Sequence, residues 1–66
     1  MKDKILSELN KKCALINSAK KAGIAQTIID GLVNDLVVCI QFSETVTGCE
    51  YDLIVDGENM VTKYRG

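Results

Sequence analysis

From Lys2 to Lys21 apolar residues return every third or fourth position: Ile5, Leu6, Leu9, Cys13 and Ile16. On a helix this spacing stacks them in one narrow stripe, with Lys4, Ser7, Asn10, Lys11 and Lys21 elsewhere. The stretch holds neither proline nor glycine. Leu15 lies off the stripe, near Ala19 and Ala22, and marks either a second contact or a break in the middle of the helix. Lys20 and Lys21 suit the negative end of a helix dipole, and Gly23 is a natural stop. A second pattern begins near Ile24. Ile24, Ala25, Ile28, Ile29, Leu32, Val33 and Leu36 cover about half the circumference of a helix, opposite Gln26, Thr27, Asp30 and Asn34. A stripe this wide touches two neighbours: a sheet, and either the first helix or a second subunit. Gly31 falls on the polar side, where it weakens the helix by up to ~1 kcal/mol relative to alanine. Close approach of another backbone is the one use the sequence suggests for it.

Asn34-Asp35 closes this helical pattern. The run Leu36-Val37-Val38-Cys39-Ile40-Gln41-Phe42 is rich in β-branched residues and predicts a strand, followed by a turn over Ser43 to Thr45. Cys49, Tyr51, Leu53 and Val55 then alternate with Glu50, Asp52 and Ile54, the period of a half-buried strand. Asp56-Gly57-Glu58-Asn59 predicts a turn, and Met60 to Tyr64 a third strand. Two hairpin registers compete. With Val55 opposite Met60 across a four-residue loop, Asp52 faces Lys63, Glu50 faces Arg65 and Tyr51 faces Tyr64. A two-residue Asp56-Gly57 loop keeps only Glu50 with Lys63. Cross-strand pairs contribute roughly 0.2–1 kcal/mol each, so pairing favours the first. The predicted fold is α+β: one domain over 1–66, two N-terminal helices packed on a three-stranded antiparallel β-meander.

Length sharpens this picture. A domain of 66 residues buries only roughly 60% of its unfolded surface, and chains this short often add disulfides, a metal or a second subunit. Cys13, Cys39 and Cys49 are odd in number and widely spaced, which fits free thiols in a reducing, cytoplasmic setting. There is no histidine and no C-x-x-C pair, so neither a metal nor a cofactor is expected. The N-terminus has no apolar stretch suited to a signal peptide. The longest apolar run, Leu36 to Ile40, is far short of the ~20 residues of a membrane-spanning helix. Self-association remains, and Ile24, Ile28, Ile29, Leu32 and Val33 are the candidate residues for it.

Charge divides the chain. Up to Ile24, six lysines stand against Asp3 and Glu8, a net of +4; the remainder carries seven acidic residues against Lys63 and Arg65, a net of −5. Without histidine the commonest general base is missing, and no serine or cysteine has a visible partner for a nucleophilic triad. Glu50 and Asp52, two apart on one strand face, imitate a catalytic carboxylate pair but read better as a solvated face paired with Lys63 and Arg65. The five glycines are scattered and form no phosphate loop. No enzyme is expected.

The segment from Leu15 through Leu32 resembles a helix-turn-helix: Ala19 sits four residues before Gly23, Ile24 follows the glycine, and Ile29 and Leu32 fall at core positions of a second helix. A following hairpin would then be similar to the wing of a winged-helix domain. The resemblance implies a DNA-binding regulator. Phosphate contacts need positive charge, however, and Ala25 to Leu36 carries Asp30 and Asp35 with no lysine or arginine. Phe42, Tyr51 and Tyr64, on an acidic sheet, make a poor platform for RNA. The expectation is therefore a small non-catalytic protein-binding regulator or inhibitor, of the size class carried by phages and mobile elements against targets such as host defence nucleases. Glu44, Glu50, Asp52, Asp56 and Glu58 are the candidate partner-binding residues; the winged-helix reading is the alternative.

Overall fold

A computed structural model describes residues 2–57 and 59–66. Helix α1 spans Lys2–Lys21, helix α2 Gln26–Thr47, strand β1 Tyr51–Asp56 and strand β2 Asn59–Tyr64. The fold is α+β, with two helices packed on an antiparallel two-stranded sheet. Helix α1 follows its apolar stripe without a break, and Leu9, Cys13 and Ile16 are buried along it. It ends in a Schellman motif. Gly23 adopts φ 75°, its N–H donates to Lys20 O (3.2 Å), and the Ile24 N–H donates to Ala19 O (3.2 Å). The left-handed backbone there is the reason for a glycine.

Helix α2 corrects the sequence reading. The strand predicted over Leu36–Phe42 is helical, and among the described residues the sheet has two strands rather than three. Asn34 and Asp35 are simply exposed helical positions. Two physical causes act together. Ile29, Leu36 and Ile40 keep helical spacing and are buried against α1 and the hairpin, while the low helix propensity of valine and isoleucine costs only a few tenths of a kcal/mol each. The polar run that read as a turn is absorbed by the helix itself. Ser43, Thr45 and Thr47 donate their hydroxyls to the carbonyls of Cys39, Gln41 and Ser43, at 2.8, 3.0 and 2.7 Å, the back-bonding open to these side chains inside a helix. The actual stop is Gly48, at φ 70°, whose N–H donates to Glu44 O (2.9 Å).

The hairpin has the predicted register, Val55 opposite Met60 and Asp52 opposite Lys63, and continues one pair further to Asp56 opposite Asn59. Tyr51 and Tyr64 face each other edge to face, ring centroids 5.9 Å apart. Helix α1 lies between its two neighbours. Ile5, Leu9 and Ile16 turn toward α2, while Asn10, Cys13 and Asn17 turn toward β2. Both asparagines clamp the strand. Asn10 Nδ2 donates to Thr62 O (3.0 Å) and its Oδ1 accepts from the Thr62 N–H (2.8 Å). Asn17 does the same for Met60, at 3.1 and 2.8 Å. Each amide satisfies one N–H and one C=O, as a neighbouring strand would. Thr62, 2% exposed, completes the junction with its hydroxyl 3.3 Å from Cys13 Sγ. Cys13, Cys39 and Cys49 are free thiols. No helix among the described residues is long and apolar enough to cross a membrane.

Candidate functional site

Strand pairing decides which hairpin residues share a face. Residues opposite one another point to the same side, so the register places Tyr51, Leu53, Val55, Met60, Thr62 and Tyr64 on the side that carries the buried Tyr51, Met60 and Thr62. Asp52, Ile54, Asp56, Asn59, Val61 and Lys63 form the other face. Ile54 and Val61 stand directly opposite one another at its centre, 38% and 40% exposed. Asp52 and Lys63 frame them on one side, Asp56 and Asn59 on the other. An apolar centre with a charged rim is the anatomy of a protein-binding patch. The strand is also held along its outer edge, because the Asn10 and Asn17 amides bond the backbone of β2 there.

Past the end of β2, Arg65 acts as a latch. Its N–H donates to Glu50 O (2.8 Å), its Nη2 lies 2.6 Å from Glu50 Oε2, and its Nε lies 3.4 Å from Asp52 Oδ1. Asp52 therefore stands opposite Lys63 in the ladder yet pairs with Arg65. The surface expected to be acidic is mixed in charge: Glu50, Asp52 and Asp56 stand against Lys63 and Arg65. The partly exposed pairs set side-chain direction more than stability, since exposed ion pairs are worth about 0–1 kcal/mol.

The candidate partner-binding residues come from two elements. Glu50, Asp52 and Asp56 lie along the hairpin. Glu44 sits near the end of α2, where its Oε2 accepts the Tyr51 N–H at 3.0 Å, and it lines an open depression together with Glu50 and Arg65. Its role there is to close a backbone group at the start of β1. Glu58 lies outside the described residues. Val61, which the sequence reading left out, completes the patch; its signal was the register itself, which places it opposite Ile54.

The candidate self-association residues separate. Ile29 is buried in the chain's own core, Leu32 and Val33 are half-buried, and Ile24 and Ile28 are exposed. Further exposed apolar residues join them: Val38 and Phe42 from the segment predicted as a strand, Val46 beyond it on α2, and Leu15 on α1. Between the helices runs an open groove of about 450 Å³, with Ile5, Leu9, Val38 and Phe42 on its walls and Lys4, Glu8 and Lys12 along its rim. The segment resembling a helix-turn-helix is an antiparallel helical hairpin: Ile5 lies near Phe42, and Ile16 near Leu32. Helix-turn-helix motifs cross at about 90–120° instead. From Gln26 to Thr47, α2 carries no lysine or arginine.

Among the described residues no group of histidine, cysteine, aspartate and glutamate is arranged to hold a metal ion. No family model matches the chain, and no curated protein or solved structure matches it.

Proposed function

We propose that this chain is a non-catalytic protein-binding regulator or inhibitor, of the size class that phages and mobile elements carry, and that it engages its partner through the outer face of the β1–β2 hairpin. The observation that supports this reading is the exposed Ile54–Val61 pair, ringed by charged side chains on a hairpin clamped along its β2 edge. The two aliphatic side chains supply contact area, and Asp52, Asp56, Lys63 and Arg65 supply orientation and encounter rate. We propose further that the chain works as a homo-oligomer, since a domain this small leaves a broad apolar helical surface uncovered.

The test compares immobilised wild-type protein with an Ile54→Lys/Val61→Lys variant and with reversal of Lys11, Lys12, Lys20 and Lys21 to glutamate. Host-cell proteins retained by each are identified by mass spectrometry, and binding is then measured with the recovered partner. A partner held by wild type and by the lysine-reversed form, but lost from the hairpin variant, is the expected result. Loss only on lysine reversal, with retention on heparin that falls steeply as salt rises, overturns this reading in favour of nucleic acid.

A further inference from the structure

The β1–β2 hairpin has two outer edges, each with a row of backbone N–H and C=O groups that must bond to something. The chain's own side chains close part of each. At the β2 edge, Asn10 and Asn17 take the N–H and C=O of Thr62 and Met60. At the β1 edge, Glu44 takes the Tyr51 N–H. The next outward positions on β1 are Leu53 and Val55, which stand opposite Thr62 and Met60. In an antiparallel ladder two opposed residues either exchange both bonds with each other or turn all their groups outward. Thr62 and Met60 give theirs to the asparagines, so Leu53 and Val55 turn theirs outward too. No described residue bonds to them.

This stretch of edge is also unprotected. β1 packs along β2, and α1 packs on β2 and α2. Exposed edge strands are ordinarily guarded by lysine, proline or a bulge. Tyr51–Asp56 contains neither lysine nor proline, and its register runs without a bulge. At its centre is the apolar run Leu53-Ile54-Val55, with Val55 60% exposed. The charges carried by β1 are all negative: Asp52 and Asp56 flank Ile54 on the outer face. Arg65 is shared between Glu50 and Asp52, and Asp56 has no ion pair among the described residues.

We propose that a partner protein adds an extended segment to this edge as a third strand, antiparallel to β1. An aliphatic residue of the segment lies opposite Ile54, and a lysine or arginine two positions earlier lies opposite Asp56. Leu53 and Val55 then each exchange two bonds with the residue opposite, so the main chain supplies affinity and alternate side chains supply selection. The aliphatic residue continues the Ile54–Val61 pair across a third strand. Charge decides between occupants. A second copy on this edge, about a two-fold axis at Ile54, would set its own Asp56 opposite Asp52. Glu50, Asp52 and the second copy's Asp56 would then share Arg65 and Lys63, three carboxylates against two cations, at both ends of the pairing. Like charges placed opposite one another destabilise a sheet. A basic residue in the segment instead meets Asp56, so the same carboxylate that discourages self-pairing selects the partner.

This inference rests on the protein-binding reading and states how the partner is held. The probe is an end-blocked peptide, Thr-Lys-Thr-Val-Thr-Gln-Thr, titrated into the isotope-labelled full chain at low salt and followed by amide shifts. It should bind with a dissociation constant on the order of 1 mM or tighter, with Leu53 and Val55 among the amides that move most. N-methylation of the two threonines beside the valine removes the bonding N–H groups and should weaken binding about tenfold or more. N-methylation of the valine, whose N–H points away from β1, should leave it within about twofold. Glutamate in place of the peptide lysine should weaken binding at least about threefold, and Asp56→Lys should reverse that preference. Val55→Pro deletes an outward N–H that makes no ladder bond, so the hairpin should persist while the peptide, and the partner recovered by immobilised wild type, are lost. No peptide binding, equal binding of the doubly methylated peptide, or a charge preference unmoved by Asp56→Lys overturns the inference. So does a wild-type dimer that Val55→Pro dissolves, which would put a second copy on the edge. If Val55→Pro fails to fold, the methylated peptides decide alone. A partner lost from Ile54→Lys/Val61→Lys but kept by folded Val55→Pro overturns the added strand and leaves the protein-binding reading standing.

Discussion

Asn10 and Asn17 decide how the two halves of the chain meet. Each primary amide offers one donor and one acceptor in a plane, and each is spent on a single residue of β2. Replacement by alanine strands two backbone groups at once in a partly buried junction. We expect Asn17→Ala to lower unfolding free energy by roughly 1–3 kcal/mol in urea denaturation. Asn17→Asp should also destabilise, because a carboxylate still accepts from the Met60 N–H but no longer donates to its carbonyl. Tyr51 provides the contrast in the same experiment. Its ring is buried against Tyr64, yet its hydroxyl is buried without a hydrogen-bond partner among the described residues. Tyr51→Phe removes a polar group that gains nothing on folding, so stability should be unchanged or higher.

At the scale of elements, the two hairpins differed in how far they could be read. The β-hairpin was legible to the register, because charge pairs and a tyrosine pair fall into place together in only one alignment. Helix α1 was legible because its stripe is narrow and free of helix breakers. Helix α2 was legible only to Leu36. Beyond it, local preference and tertiary packing disagree. Val37, Val38 and Ile40 favour a strand by a few tenths of a kcal/mol each, whereas buried Leu36 and Ile40 hold the helix by contacts the sequence does not display. Reading the stripe onward through Ile40 to Gly48 would have found the true end. The cap carries a prediction of its own. Gly48 adopts φ 70°, where a side chain meets its own carbonyl, so Gly48→Ala should cost about 1–2 kcal/mol in the same denaturation assay, with little change in the helical signal.

For the whole molecule, the division of charge along the sequence is softened by folding. The basic helix lies against the hairpin, and Arg65 draws Glu50 and Asp52 together, so the acidic surface read from composition becomes an apolar patch with a mixed rim. Glu44 joins Glu50 and Arg65 from the end of α2, and nothing in the chain order says that its carboxylate will also meet the Tyr51 N–H. The uncovered surface is on the other side of α1, where exposed apolar residues of both helices gather. The two faces differ in this way, one an aliphatic pair with a charged rim and the other a broader apolar surface on the helices.

The asparagine clamp also fixes how the backbone of the sheet exchanges with solvent. Thr62 and Met60 donate their N–H groups to side chains 52 and 43 positions earlier in the chain. Those two amides can open only when the sheet leaves α1 or the helix itself unravels. Strand alternation turns the N–H groups of Leu53 and Val55 to the opposite edge of the sheet, where no strand follows among the described residues. In deuterated water, Met60 and Thr62 should therefore exchange near the rate of global unfolding, and Leu53 and Val55 orders of magnitude faster. Four amides within one hairpin would then time the separation of the two halves of the protein directly, and Asn10→Ala should bring the slow pair toward the fast one.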